Sequence, residues 1–313
     1  WLREDFVFLI KTMVIHSGLA LPGMSSLMNY MQIATTENTI YTSPDASKIF
    51  CYTPSIIVTP TGRLIVSFDL GGEGVKSIEG HKSSRAGGSR FGQGKIFISD
   101  DNGQKWTFVQ NFPFWHARLF TIGNSIYLIG HAGDICIMKS EDNGESWSDT
   151  YFLTHGEKWH SSACNVLFSN GNVYLAMEQR CRLNEVTGWD VAGLSPTLFR
   201  ACVEDNLCLA SSWSRSEKFI YKEVFDGAKL DFFGIPFYDC ETNKPKEIAT
   251  GINNAPLGWL EANVVKFVDK DHIWHTDLKE VFHLFLRAHT GGVNYAHLFK
   301  IEIQDDQSMI PSL

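Results

Sequence analysis

The chain has 313 residues, of which 44% are hydrophobic and 20% are charged. This is the composition of a globular protein, and it excludes a disordered or fibrous chain. Lysine and arginine total 27, and aspartate and glutamate total 35, which gives a formal charge of −8. That balance lacks the basic surface typical of nucleic-acid binding, so no nucleic-acid partner is predicted.

Cysteine spacing and the ends of the chain give few functional signals. The seven cysteines show no Cys-x-x-Cys or Cys/His ligand pattern, so neither a metal site nor a cofactor is predicted. The apolar run at residues 6–10 is interrupted by Lys11, and no membrane span is predicted. The chain begins with Trp1 and ends soon after a strand-like segment at 295–303. We therefore expect a fragment that lacks the C-terminal part of a longer protein; its location stays open, with a secreted or periplasmic protein as the working expectation.

Short runs rich in valine, isoleucine, phenylalanine and tyrosine alternate with glycine, asparagine and aspartate, which predicts an all-β protein. Four segments share one plan: an apolar run, a tight turn, a second apolar run and a closing polar residue. In chain order they span residues 55–69, 117–131, 163–178 and 261–289. Each predicts a β-hairpin, with turns at residues 61–62, 123–124, 170–171 and 269–271.

A second motif, Ser-x-Asp-x-Gly-x-x-Trp, occurs as SDDNGQKW at 99–106 and as SEDNGESW at 140–147. In such a turn the aspartate can accept backbone N–H groups, the glycine supplies a positive φ, and the tryptophan packs onto the sheet. The motif residues are therefore predicted to be structural: Ser99, Asp101, Gly103 and Trp106 in the first copy, and Ser140, Asp142, Gly144 and Trp147 in the second.

Hairpins and turns that repeat every ~40–50 residues are typical of the four-stranded blades of a β-propeller. At that period, residues 51–313 supply about five blades. Residues 1–50 form a predicted N-terminal segment that could contribute strands to another blade. A closed ring of six or seven blades needs more chain, so an incomplete propeller is predicted.

The paired turns resemble the Asp-boxes, or BNR repeats, of the sialidase superfamily. Bacterial and fungal members of that superfamily that act on rhamnose–glucuronate ends of plant polysaccharides are similar to this chain in four stretches. These are PSIIVTPTGRLIVSFD, FWHARLFTIGNSIYLIG, the Leu194–Trp213 stretch with LSPT and LASSW, and GWLEANVV. The resemblance covers about residues 50–303, and it implies a sialidase-like propeller, carbohydrate metabolism and a carbohydrate partner. Sialidases proper carry an arginine in a Phe-Arg-Ile-Pro motif that holds the sialate carboxylate. The matching stretch here is Cys51-Tyr52-Thr53-Pro54, without the arginine, so the resemblance supports the fold and the substrate class better than it supports sialic acid.

Polar residues collect where the hairpins end. In a meander blade, the starts of strand 1 and the ends of strand 2 lie on the face opposite the two Ser-x-Asp-x-Gly-x-x-Trp turns. The starts of strand 1 carry His116, Arg118, His160, Glu261 and Asn263, and the ends of strand 2 carry Asp69, His131, Glu178, Arg180, Arg287 and His289. This clustering predicts a site. Structural roles stay open, because the histidines could be packing residues and Glu178 could form a salt bridge with Arg180.

Roles follow from the chemistry of acidic sugars. Glycosidic cleavage commonly uses an acid and a base or nucleophile, often two carboxylates, so Glu178 and Glu261 are the predicted catalytic pair, with His160 and one of them as the alternative. Arginine forks hold carboxylates, and the predicted substrate-binding residues are Asp69, His116, Arg118, His131, Arg180, Asn263, Arg287 and His289. Trp115, Trp159 and Trp259 could stack on sugar rings or pack in the core.

Three functions are compatible with this sequence. The favoured one is an exo-acting glycoside hydrolase that removes a terminal sugar from an acidic glycan. The second is a polysaccharide lyase on rhamnose–glucuronate ends, in which His160 removes the proton α to the uronate carboxylate. The third, from another class, is a non-catalytic glycan-binding or scaffold propeller.

Overall fold

The protein is described from a computed structural model, which covers residues 38–84, 91–160, 164–181, 194–220, 258–267, 280–289 and 294–312. Apart from short 3-10 turns, these residues form four antiparallel sheets, which we number as blades 1 to 4 in chain order. The all-β prediction is therefore confirmed. No helix among these residues is long and apolar enough to span a membrane.

Each blade is built around a four-stranded meander. Blade 1 contains β1 (Phe50–Val58), β2 (Leu64–Gly71), β3 (Ser83–Ser84), β4 (Phe91–Ser99) and β5 (Thr107–Phe112). Blade 2 contains β6 (Trp115–Ile122), β7 (Ser125–Ala132), β8 (Asp134–Ser140) and β9 (Tyr151–Phe152). Blade 3 contains β10 (Trp159–His160), β11 (Val166–Ser169), β12 (Asn172–Arg180), β13 (Leu194–Cys202) and β14 (Trp213–Arg215). Blade 4 contains β15 (Gly258–Val265), β16 (Val281–His289), β17 (Asn294–Ile303) and β18 (Met309–Ser312).

The predicted hairpins are the paired strands β1–β2, β6–β7, β11–β12 and β15–β16. The fourth predicted turn, at 269–271, lies outside the described residues. The described residues form four blades. Residues 1–37 and 221–257 lie outside them, so the count of about five blades and the boundary at residue 50 stay predictions.

Neighbouring blades pack face to face, and β12 shows how one strand serves two cores. Val173, Leu175 and Met177 belong to the core shared with blade 2, whereas Tyr174 and Ala176 belong to the core shared with blade 4. Because successive side chains of a strand point to opposite faces, an unbroken apolar run buries both faces of the sheet. Blade 3 is thus an interior layer, as a propeller blade must be.

Three tryptophans near the starts of the inner strands are core residues. Trp159 and Trp259 are 2% and 0% exposed, and Trp115 is 9% exposed. A Cβ atom on Gly92 would come within 2.1 Å of the Trp115 ring, so this ring lies directly against the backbone of β4. The tryptophans therefore pack between sheets, and the stacking platform considered from the sequence is not formed by these rings.

Candidate functional site

The turn between β4 and β5 is closed by its own side chains. The Ser99 hydroxyl donates to Asp101 Oδ1 at 2.9 Å, and the backbone N–H of Gly103 donates to Ser99 Oγ at 2.9 Å. Asp101 Oδ1 also accepts the N–H of Lys105 at 2.8 Å, which is the main cause that lowers the pKa of Asp101. The indole N–H of Trp106 donates to the Gly103 carbonyl at 3.0 Å. Gly103 has a φ of +81°, as this turn requires.

The turn between β8 and β9 repeats this pattern. Ser140 donates to Asp142 Oδ1 at 2.8 Å, and the N–H of Gly144 donates to Ser140 Oγ at 2.9 Å. Hydrogen bonds from Ser146, above all from its hydroxyl, lower the pKa of Asp142. Trp147 packs against the core between blades 1 and 2. We call the edge of the blades that carries these two turns the turn face.

Arg63 joins the turn face across two blades. From the β1–β2 turn its guanidinium makes two hydrogen bonds to Asp100, at 2.6 and 2.9 Å, and a third to the Asn143 carbonyl at 3.2 Å. The β1–β2 turn and both Ser-x-Asp turns therefore lie at one edge of the blades. The starts of β6, β10 and β15 and the ends of β2, β7, β12 and β16 lie at the opposite edge, which we call the site face.

Three inner strands bulge at the same place on the site face. The pairing shifts between Tyr52 and Ser55 in β1, between Trp115 and Arg118 in β6, and between Leu260 and Asn263 in β15. One residue in each bulge has a left-handed backbone: Thr53 at φ 49°, His116 at 53° and Glu261 at 61°. Such a conformation costs about 1–3 kcal/mol for a non-glycine residue and persists where its surroundings impose it. In blade 3 the residues after β10, 161–163, lie outside the described residues.

In every blade the second strand places a polar residue opposite the first-strand residue that directly precedes the bulge position. The pairs are Tyr52 with Asp69, Trp115 with His131, His160 with Glu178, and Leu260 with Arg287. Four residues that the sequence placed at hairpin ends therefore occupy equivalent positions in their blades: Asp69, His131, Glu178 and Arg287.

Asp69 faces the next blade. Its side chain is fully buried, and Oδ1 accepts the backbone N–H of His116 at 3.1 Å. Burial raises the pKa of Asp69 well above the usual range, and the nearby Arg118 only partly opposes this. Asp69 Oδ2 is buried with no hydrogen-bond partner among the described residues, which suits a protonated carboxyl. Asp69 therefore contacts the bulge of blade 2 and has no exposed surface.

Three imidazoles from blades 2 and 3 lie together. His116 Nδ1 and His131 Nε2 are 3.0 Å apart, so one of these nitrogens donates and the other accepts. The ring centroid of His160 lies 5.4 Å from that of His116 and 6.2 Å from that of His131. No group of three histidine, cysteine or acidic side chains in the described part of the chain is arranged to hold a metal ion.

His160 and Glu178 form a dyad in the third blade. His160 Nδ1 is 2.9 Å from Glu178 Oε2, and Glu178 is 1% exposed. Glu178 Oε1 accepts the backbone N–H of Ala262 in blade 4 at 2.7 Å. With Nδ1 bound to a carboxylate, Nε2 is the ring nitrogen left for chemistry.

Glu261 and Arg287 form the neighbouring pair in the fourth blade. Arg287 Nη2 is 3.0 Å from Glu261 Oε1, and the two side chains are 35% and 38% exposed. This acidic side chain is therefore open to solvent next to the buried dyad, one residue before the Ala262 N–H that binds Glu178.

The other residues selected from the sequence lie around this centre. Arg118 is 6% exposed, donates from Nη1 to the Pro54 carbonyl at 2.7 Å, and has its pKa lowered by burial. Asn263 accepts the N–H of Asn165 at 2.9 Å, which joins blades 3 and 4. Arg180 is partly buried at the end of β12. His289 ends β16, and its side chain lies outside the described part of the structure.

Two supporting residues escaped the sequence analysis. The side chain of Asn165 donates to the Val264 carbonyl at 2.7 Å and accepts the Val264 N–H at 2.9 Å. An Asn-Val dipeptide shared by residues 165–166 and 263–264 was the available signal. Asp134 accepts the Thr154 hydroxyl and the N–H groups of Gly156 and Glu157, at 2.8–2.9 Å, and so fixes the loop before β10. No local pattern announces this role.

No protein-family model matches the chain, and no curated protein matches it. An α-L-arabinofuranosidase from Lactobacillus brevis aligns with a TM-score of 0.48 and 14% identity, over 88% of this chain and 82% of that one. A protein of unknown function from Dyadobacter fermentans gives 0.46 and 14%, over 85% and 68%. A sialidase from Trypanosoma rangeli gives 0.41 and 12%, over 78% and 30%. Similarity at this level assigns no activity.

Proposed function

We propose that this protein is a glycoside hydrolase that removes a terminal sugar from an acidic glycan. The observation that supports this most is the proximity of two acid–base pairs at the interface of blades 3 and 4. His160 is bound to Glu178, and Glu261 is bound to Arg287, with Ala262 joining the two pairs through its N–H.

The two pairs suit different halves of the reaction. With Glu178 at Nδ1, His160 presents Nε2, from which it can give a proton to the departing sugar oxygen. Glu261, as the carboxylate partner of Arg287, can accept a proton from water or attack the sugar carbon. The catalytic pair is thus His160 and Glu261, and Glu178 supports His160.

An acidic substrate is supported by the groups around this centre. Arg287 is partly exposed beside Glu261, and His116 and His131 lie next to His160. A guanidinium group can hold the carboxylate of a uronate or a similar acidic sugar, and an imidazole N–H can donate to it. Arg118 is buried, and its guanidinium already donates to a blade 1 carbonyl. It therefore contributes positive charge to the site rather than a direct contact with the sugar.

The first experiment is mass spectrometry of the products formed from sialosides, rhamnose–glucuronate ends and uronate oligomers. A released sugar with water added is the expected product. His160→Ala is expected to lower kcat by about 10²–10⁴-fold, the usual contribution of a general acid or base. His155→Ala is the matched control, because His155 is exposed in the loop that precedes β10. Full activity of His160→Ala would refute the proposal.

A lyase is the second candidate, and the free Nε2 of His160 favours it as well. With Glu178 at Nδ1, the neutral ring can remove the proton α to a uronate carboxylate. An unsaturated uronate in the same product analysis would establish this reaction. Glycan binding without any product from the folded protein would instead favour a non-catalytic propeller.

A further inference from the structure

Glu178 is buried in the blade interface. It is 1% exposed, and each carboxylate oxygen has a partner: Oε2 contacts His160 Nδ1, and Oε1 accepts the Ala262 N–H. A carboxylate with this burial and both oxygens bound has no free atom for a sugar. Its role is therefore carried out through the residues that it holds.

The two partners of Glu178 come from different blades. His160 lies across the β10–β12 pair of the same sheet, whereas Ala262 lies in β15 of blade 4. Ala262 directly follows Glu261, whose backbone is left-handed at φ 61°. A hydrogen bond to the next N–H stabilises this bulge, because it removes the cost of burying that N–H without a partner.

The same arrangement occurs between blades 1 and 2. Asp69 lies opposite the residue before the β1 bulge, is fully buried, and accepts the N–H of His116, the left-handed residue of the β6 bulge. In both cases an acidic residue at the end of strand 2 binds the bulge of the following blade. We call this contact the carboxylate clasp. Only the clasp of Glu178 also binds an imidazole with its second oxygen.

We infer that Glu178 is a positioning residue that fixes His160 and Glu261 relative to each other across the interface of blades 3 and 4. The inference rests on the proposed function, in which those two residues are the catalytic groups. It replaces the direct catalytic role predicted for Glu178 from the sequence. One side chain sets the tautomer of His160 through Oε2 and the backbone of the Glu261 bulge through Oε1.

Glu178→Gln is the sharpest test. The amide oxygen can still accept the Ala262 N–H, and the amide N–H₂ donates to His160 Nδ1, so the clasp is kept while the charge is lost. We expect Tm within ~3 °C of wild type, kcat lowered ~10–10³-fold and KM nearly unchanged.

Nuclear magnetic resonance of ¹⁵N-labelled histidine gives a readout that does not depend on activity. In the neutral ring, the proton of His160 is expected on Nδ1 in wild type and on Nε2 in Glu178→Gln. An unchanged tautomer and an unchanged kcat would overturn the inference. A KM that rises with the loss of kcat would also overturn it, since that result indicates direct substrate contact.

Glu178→Ala removes both bonds, and Asn165→Ala is its matched control. Asn165→Ala removes two hydrogen bonds from the same blade interface without touching His160 or Glu178. Both variants are expected to lose ~3–8 °C in Tm, but only Glu178→Ala is expected to lose kcat more than tenfold. Equal kcat in the two variants would reduce Glu178 to a structural role. Failure of the proposed function is separate, because it is read from His160→Ala.

Discussion

The two faces of the propeller use acidic residues in opposite ways. On the turn face, Asp101 and Asp142 lie near water, and hydrogen bonds from their own turns lower the pKa of each. On the site face, Asp69 is fully buried and its pKa is raised by desolvation. The bonds of Asp101 and Asp142 join residues two to four positions apart, whereas Asp69 and Glu178 each accept an N–H from the next blade. Local geometry thus forms the two Ser-x-Asp turns, whereas assembly of the blades creates the site face.

The largest expected effect on stability separates the two glycines of the turn face. Gly144 has a φ of +88°, and a Cβ there would come within 2.4 Å of the buried Ile65 side chain. Gly103 has a φ of +81°, but its nearest neighbour would be Trp106 at 3.4 Å. We expect Gly144→Ala to lose about 2–4 kcal/mol and Gly103→Ala about 1 kcal/mol in urea unfolding. Equal losses would mean that backbone strain alone decides both sites.

The next effect tests whether the turn face is purely structural. Asp142→Ala removes the acceptor for Ser140 and Ser146, so we expect Tm to fall by ~2–5 °C at pH 7 with kcat unchanged. Because the folded pKa of Asp142 is lowered, its stabilisation is present above the ordinary value of 3.8 and disappears as pH falls through the folded pKa. Melting curves of variant and wild type should therefore converge in acid. A loss of kcat would contradict the separation of the two faces.

Asp69→Asn is expected to raise the melting temperature, in contrast to Asp142→Ala, which lowers it. Because the pKa of Asp69 is raised in the folded state, this residue lowers the stability of the fold progressively as pH rises from 3.8 through the folded pKa. Asparagine keeps an oxygen for the His116 N–H and cannot ionise, so we expect Tm to rise by ~1–3 °C at pH 7 and the gain to vanish toward pH 4. Thermal melts at the two pH values measure this. A lower Tm at pH 7 would show that the charged carboxylate is favoured after all.

The smallest effect concerns His297, which supports the start of β15. Its Nδ1 accepts the indole N–H of Trp259 at 3.0 Å, and burial lowers its pKa below 6.5. The folded state therefore loses stability as pH falls below 6.5, when the unfolded chain binds a proton more readily. His297→Gln keeps an acceptor without titrating, so it should match wild type at pH 7 and melt ~1–2 °C higher at pH 5. Equal melting temperatures at pH 5 would exclude this contribution.

The sequence predicts the turn face far better than the site face, for physical reasons. Each Ser-x-Asp-x-Gly-x-x-Trp turn is closed by residues within one short stretch, so the spacing of the motif predicts its hydrogen bonds. The polar ends of strand 2 were identified because periodicity locates hairpin ends. Their pairing was not, since Glu178 is bound by Ala262, which lies 84 residues away. The supporting role of Asp134 was missed for the same reason, because its partners Thr154, Gly156 and Glu157 lie 20–23 residues further along the chain.

The distance along the chain between Glu178 and Ala262 also bears on the order of folding. Blade 2 follows blade 1 directly, since β5 ends at Phe112 and β6 begins at Trp115. In contrast, residues 221–257 lie between Ile220 and the start of blade 4. Closing a longer connection costs more chain entropy, although each doubling adds only about 0.6 kcal/mol, and contacts across it form later on average. We therefore expect the first two sheets to assemble early and the contact of Glu178 with blade 4 to form late. A chain that leaves the ribosome in this order forms the contact between Glu178 and blade 4 only after the core between blades 1 and 2 is in place.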